Sequence, residues 1–272
     1  MIYGYDDLTR GLEGVGGVFS IGKSVFGRDI LAVIAGIGEP RTLIHGGIHA
    51  RESVTSAVVM KMLENHRGAA ICFVPMVNPD GAMLIKYGAD SAPAEYRQRL
   101  IDINGKRDFS LWKANGRAVD INVNFKAGWG QGLSNVRYPA SESYIGPFSE
   151  SEPETRALTE LTEKYKFTSS LSLHTKGGVI YYGYKQTKSY YEYAVRISSA
   201  TGFPLVRSVG SSGGYKDWFL LKGYGIGLTL ELGSDSLRHP IGLERLDEIY
   251  FNVREVSGIA AEIGEELWMK NL

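Results

Sequence analysis

Blocks of apolar and polar positions alternate along this chain and predict strands and helices in turn. Ile30 to Ile37 and Arg41 to His45 read as strands, and Val54 to His66 as an amphipathic helix. Ala70 to Val77 is a near-continuous apolar run closed by Asn78-Pro79-Asp80-Gly81, the pattern of a buried strand followed by a turn. From Tyr87 to Tyr144 the chain is polar, rich in Gly and Asn, and poorly periodic. A long ordered loop region carrying short elements is expected there. At Ser151-Glu152-Pro153-Glu154, Ser and Glu three apart make a capping-box pattern with Pro in the first turn, so a helix should start. Phe167 to Leu173 and Ile226 to Leu230 read as strands, and Leu243 to Leu267 as one long final helix. Such alternation covers both faces of a sheet with helices, so the expected class is α/β.

Composition narrows this further. The 272 residues carry no repeat, low-complexity tract or linker, so one domain spanning 1–272 is expected. A domain of that size buries roughly three quarters of its unfolded surface and needs no covalent staple. Lys plus Arg equals Asp plus Glu at 30 each, which argues against nucleic acid or an anionic membrane as partner. No apolar run approaches the roughly 18 residues of a membrane span, and the N-terminus lacks a secretory pattern. The single Cys72 sits in an apolar run and reads as a buried small hydrophobe. With no disulfide to form, a reducing, cytoplasmic setting is the expectation.

Candidate chemistry gathers at predicted strand ends. After Leu43-Ile44-His45 and a Gly-Gly turn comes His49-Ala50-Arg51-Glu52, which places an imidazole and a carboxylate on one side of a helical turn. His174 closes the alternating run Ser170-Leu171-Ser172-Leu173, and Glu231 closes Gly225 to Leu230. Sites in open α/β sheets form beyond the carboxyl ends of strands. Together these groups suggest zinc on His49, Glu52 and His174, one ion per chain, with Glu231 as general base. Three protein ligands leave one position for a water, which becomes acidic enough to attack at neutral pH. A nearby carboxylate can take its proton and pass it to a leaving amine.

These residues carry a resemblance. His49-Ala50-Arg51-Glu52, Val77 to Gly81, Val119-Asp120-Ile121-Asn122 with Asn124-Phe125, His174 and Thr229-Leu230-Glu231-Leu232 follow the order and spacing of the zinc metallocarboxypeptidases. Ser20 to Arg28 is similar to that family's opening segment. The resemblance implies a mixed, about eight-stranded twisted sheet, with Asp120 orienting the first ligand histidine. It also implies departures. Val123 stands where the family's Arg grips the substrate's terminal carboxylate, so that bidentate clamp is lost. Val209 aligns with the tyrosine that closes over substrate, and Lys113 with the oxyanion arginine, keeping the charge without the fork. Arg51 and Lys113 are thereby assigned to the oxyanion, and Asn122 and Lys216 to substrate positioning.

Trp112-Lys113-Ala114-Asn115, the missing arginine and Gly213 to Phe219 together resemble a bacterial branch, the γ-D-glutamyl-diaminopimelate peptidases. The resemblance implies a small murein stem peptide as substrate, cut between γ-D-Glu and meso-diaminopimelate. Lys216 would then meet the distal carboxylate of that diamino acid. Alternatives remain: an ordinary metallocarboxypeptidase, a zinc amidohydrolase of acylated amino acids, or a non-catalytic binding module. Gly210-Ser211-Ser212-Gly213-Gly214 also fits the serine-hydrolase elbow, with Asp235 and His239 as partners, although no helix is expected after it.

Overall fold

The computed structural model describes residues 1–270. Eight strands form one sheet: β1 (Val18–Lys23), β2 (Asp29–Ala35), β3 (Ile37–His45), β4 (Ala69–Val74), β5 (Ser169–Thr175), β6 (Val179–Tyr182), β7 (Leu205–Arg207) and β8 (Ile226–Leu232). Their order is β1-β2-β4-β3-β5-β8-β6-β7. The four central strands are parallel, while β2 joins β4, and β6 joins β8, in antiparallel sense. The expected mixed sheet is present.

Helices α1 (Tyr5–Gly11), α2 (Val54–Asn65), α3 (Pro79–Tyr87), α4 (Ala94–Asn104), α5 (Pro153–Tyr165), α6 (Tyr191–Thr201), α7 (Tyr215–Leu221), α8 (Leu246–Val253) and α9 (Val256–Lys270) cover it. Successive strand side chains point to opposite faces, and this divides the core. Ile44, Phe73, Leu171 and Leu228 pack with α2, α6, α8 and α9, whereas Leu43, Cys72 and Val74 pack with α5 and α7. Cys72 is buried as expected, and no helix among the described residues is long and apolar enough to cross a membrane.

Several local expectations are corrected. Asn78-Pro79-Asp80-Gly81 opens a helix rather than a plain turn. The Asn78 side chain accepts the Gly81 N–H at 2.9 Å, and Pro79 occupies the first helical position. The polar stretch after Tyr87 contains a full helix, α4, whose single buried apolar residue, Leu100, leaves no periodic signal. The Ser151–Glu154 capping box does not form. The Ser151 hydroxyl donates to Glu152 Oε1, the Glu152 N–H is taken by Asn124 Oδ1, and Glu154 accepts from Val25 N–H and Asn115. The final helix is broken into a 3₁₀ turn at Leu243–Arg245, then α8 and α9. At the α8 end, the Arg254 guanidinium donates to the Phe251 carbonyl. Strands β1, β6 and β7 had no strand assignment from sequence, and β1 is half-buried or exposed throughout, which blurs alternation.

Candidate active site

Beyond the end of β3 the backbone turns sharply at Gly47, whose φ is +60° and whose added Cβ would lie 2.3 Å from Ser56 Oγ. The turn leads to His49, which precedes a 3₁₀ turn at Ala50–Glu52. In a 3₁₀ turn, side chains three apart eclipse, so His49 Nδ1 meets Glu52 Oε1 at 3.1 Å. His174 Nδ1 lies 3.1 Å from both His49 Nδ1 and Glu52 Oε2. All three residues are buried, and their ligand atoms lie within 4.8 Å of one another. His49 gives its Nε2–H to Asp120, so Nδ1 of the neutral ring carries a lone pair facing the other two groups. Two imidazole nitrogens and a carboxylate converging this closely fit a zinc ion with one position left open.

Asp120 is fully buried and heavily bonded. Its Oδ1 accepts from His49 Nε2 at 3.2 Å and Asn122 N–H at 3.1 Å, and its Oδ2 accepts from Ser143 N–H at 3.1 Å and Lys113 Nζ at 3.0 Å. Burial opposes its charge, but Lys113, His49 and these bonds hold it well below the usual carboxylate range. Lys113 therefore has a partner that the sequence did not disclose, although it also reaches the cavity wall.

His174 and Glu231 are register partners on the adjacent parallel strands β5 and β8. The alternating leucines of both strands point into the core under α9, so Ser172, His174, Thr229 and Glu231 point to the opposite face. There His174, Thr229 and Glu231 border a cavity of about 340 Å³, with His49, Lys113, Asn122, Val123, Val209 and Lys216 also on its wall. Burial pushes the Glu231 carboxyl up to about 7; the charge of His174 opposes the rise and that of Glu52 adds to it. A carboxyl in that range is suited to proton transfer near neutrality.

Gly213 brings the α7 end of this wall into place. Its φ is +90°, and a Cβ there would lie 2.7 Å from the Val123 carbonyl oxygen. The close approach lets Gly213 exchange backbone bonds with Phe125 and Ala127 and sets the Tyr215 N–H on Asn122 Oδ1 at 3.1 Å. The Asn122 Nδ2 hydrogens remain for a ligand.

Of the expected site residues, Arg51 and Glu52 are not on the cavity wall, and Asp120 stands behind it. Arg51 pairs with Glu142 at 3.0 Å. Of the tyrosines between Tyr181 and Tyr193, Tyr181 lies on the wall, while Tyr184 and Tyr193 are buried. Two residues escaped the sequence reading. Thr175 gives its N–H to Glu52 Oε2 at 3.2 Å, and Asp217, adjacent to Lys216, borders the cavity. Nothing in residue type alone distinguishes either of them.

The serine-hydrolase elbow does open a helix, α7, against expectation. Its triad does not assemble. Ser212 Oγ lies 3.4 Å from Tyr184 Oη, His239 Nε2 bonds Thr175 Oγ1, and Asp235 pairs with Lys176.

Residues 14–211 match the family described as zinc carboxypeptidase. The chain is 31% identical over 252 residues to γ-D-glutamyl-L-diamino acid endopeptidase 1 of Lysinibacillus sphaericus, covering 85% of this chain and 63% of that protein. The chain thus spans less than two thirds of that relative's length. Bovine thrombin-activatable fibrinolysis inhibitor, solved with a tick carboxypeptidase inhibitor, superposes with a TM-score of 0.76 at 19% identity, covering 100% of this chain and 99% of that one. Murein-tripeptide amidase MpaA from Escherichia coli O157 has the same fold, with a TM-score of 0.59 at 22% identity over 88% of this chain and 91% of that one. With its ligand cluster and Glu231 carried on the matching fold, the chain belongs to the zinc carboxypeptidase family.

Proposed function

We propose that the chain is a zinc peptidase that hydrolyses the bond between γ-D-Glu and meso-diaminopimelate in murein-derived peptides. The observation that carries this reading is the cavity beside the ligand cluster. It holds Glu231, carries a valine rather than an arginine at position 123, and has Lys216 on its wall. The 31% identity to an endopeptidase named for γ-D-glutamyl-L-diamino acid bonds supports the same direction.

His49, Glu52 and His174 would hold zinc, which when bound supplies Lewis acidity to a water and to the scissile carbonyl. Glu231 takes the attacking water's proton and returns it to the leaving amine, a role its raised pKa permits. Asp120 fixes the His49 ring through its Nε2–H. Lys113, and Arg51 from outside the wall, supply positive charge where the carbonyl oxygen becomes negative. Asn122, with its Oδ1 held by Tyr215, offers Nδ2 hydrogens to the carboxylate on the diamino acid's reacting centre.

The test compares release of diaminopimelate from L-Ala-γ-D-Glu-meso-diaminopimelate with release of the C-terminal residue from a blocked α-linked dipeptide. The expected result is efficient cleavage of the first alone, abolished by a chelator and restored by zinc. Comparable efficiency on the dipeptide identifies an ordinary carboxypeptidase. Activity that survives in metal-free protein overturns the zinc reading.

A further inference from the structure

The cavity wall carries a buried ion pair that the catalytic chemistry does not use. Lys216 Nζ donates to Asp217 Oδ1 at 2.6 Å and to the Gly183 carbonyl at 2.8 Å. Lys216 is 6% exposed and Asp217 2%, and both border the same cavity as Glu231. The Lys216 stem lies over Gly227 of β8. Burial lowers the Lys216 pKa and raises that of Asp217, and each helps hold the other charged.

A buried pair like this does little for stability, because desolvation offsets the attraction. Its place on a ligand cavity has a different use. The pair is close to neutral as a unit, so a ligand group with one charge meets attraction from one member and repulsion from the other, 2.6 Å away. A group bearing an ammonium and a carboxylate can lie antiparallel to the pair and satisfy both. Lys216 keeps one N–H beyond its two bonds, and the Asp217 carboxylate keeps lone pairs for a donor.

We propose that Lys216 and Asp217 together form the specificity element for a zwitterionic side-chain terminus, an amino-carboxylate, with the ligand carboxylate on Lys216 and its ammonium on Asp217. This rests on the proposed function, in which a diamino acid is the leaving residue, and deepens it. It selects diamino acids with a second amino-carboxylate over lysine.

The experiment uses the unaltered enzyme on γ-D-glutamyl tripeptides that differ only at the distal end. The four ends are the free amino-carboxylate of meso-diaminopimelate, its distal amide, its distal N-acetyl derivative, and lysine. The expected kcat/KM is highest for the free form and falls about 10- to 100-fold when either charge is removed, the scale of a lost charged hydrogen bond. Asp217→Asn should shrink the gap between the free and N-acetyl forms, with zinc content and Tm measured alongside. Equal cleavage of all four tripeptides overturns this inference and leaves the γ-D-glutamyl reading standing. Failure on all four, with cleavage of an α-linked dipeptide, overturns both.

Discussion

Lys113 and Asp120 form a 3.0 Å ion pair inside the protein, and the other oxygen of Asp120 holds the Nε2–H of His49. The cation aligned with an oxyanion role is thus also wired to the first ligand histidine. Lys113→Met should leave Asp120 buried with its main counter-charge gone, and removing one member of a buried pair is strongly destabilising. Zinc affinity should fall roughly tenfold in Lys113→Met, and about 10- to 100-fold in Asp120→Asn, the range for a lost partner of a metal-bound histidine. Competition with a fluorescent chelator measures both. A Lys113→Met protein with native zinc affinity and reduced kcat would confine Lys113 to the oxyanion.

Glu231→Gln keeps the shape of the cavity and removes the base. Turnover should drop about 10²- to 10⁴-fold with the zinc stoichiometry unchanged. Parallel kcat and metal analysis check this. Retained turnover would remove Glu231 from proton transfer.

Glu154 predicts a pH dependence of stability distant from the reaction. Burial, with the nearby charge of Asp80, pushes its carboxyl up to about 8. An acid whose folded pKa exceeds its unfolded value, near 4.5, contributes stability that is complete below the unfolded pKa. That contribution is lost as pH rises from the unfolded pKa through about 8. Denaturant midpoints of the parent should therefore fall across this window. Glu154→Gln should flatten the fall, and parallel slopes in the two proteins would refute the assignment.

Gly213→Ala tests the joint that carries the cavity wall. The φ of +90° and the 2.7 Å approach to the Val123 carbonyl leave no room for a Cβ. The substitution should destabilise by about 1–3 kcal/mol, the usual scale of such backbone strain. It should also raise KM more than it lowers kcat, because Asn122 and Lys216 flank the joint while Glu231 sits on β8. Thermal melts and steady-state kinetics give both numbers.

Much of the central machinery was legible in the residue pattern. The alternating runs ending in His174 and Glu231 became adjacent strands β5 and β8, and His49 to Glu52 became a helical turn, because side-chain period and turn geometry are local properties. Elements whose burial comes from distant partners were not legible. Asn78 reads as a turn former, yet its Nδ2 also bonds the Ile48 and Ala114 carbonyls and braces both site loops. Ser151 and Glu154 match a capping box, yet Asn115 and Asn124, from far along the chain, claim the groups that would have closed it.

The order of residues along the chain was enough for the α/β class, for the cluster of His49, Glu52 and His174 and for the placing of Glu231 beside it, since each depends on short-range spacing and on strand ends gathering at one sheet edge. Three-dimensional packing settled that Lys113 answers to Asp120, that Arg51 stands off the cavity wall beside Glu142, and that Lys216 borders the cavity already paired with Asp217. Charge pairing inside a protein depends on which groups are desolvated together, and that follows from the folded arrangement, not from distance along the sequence.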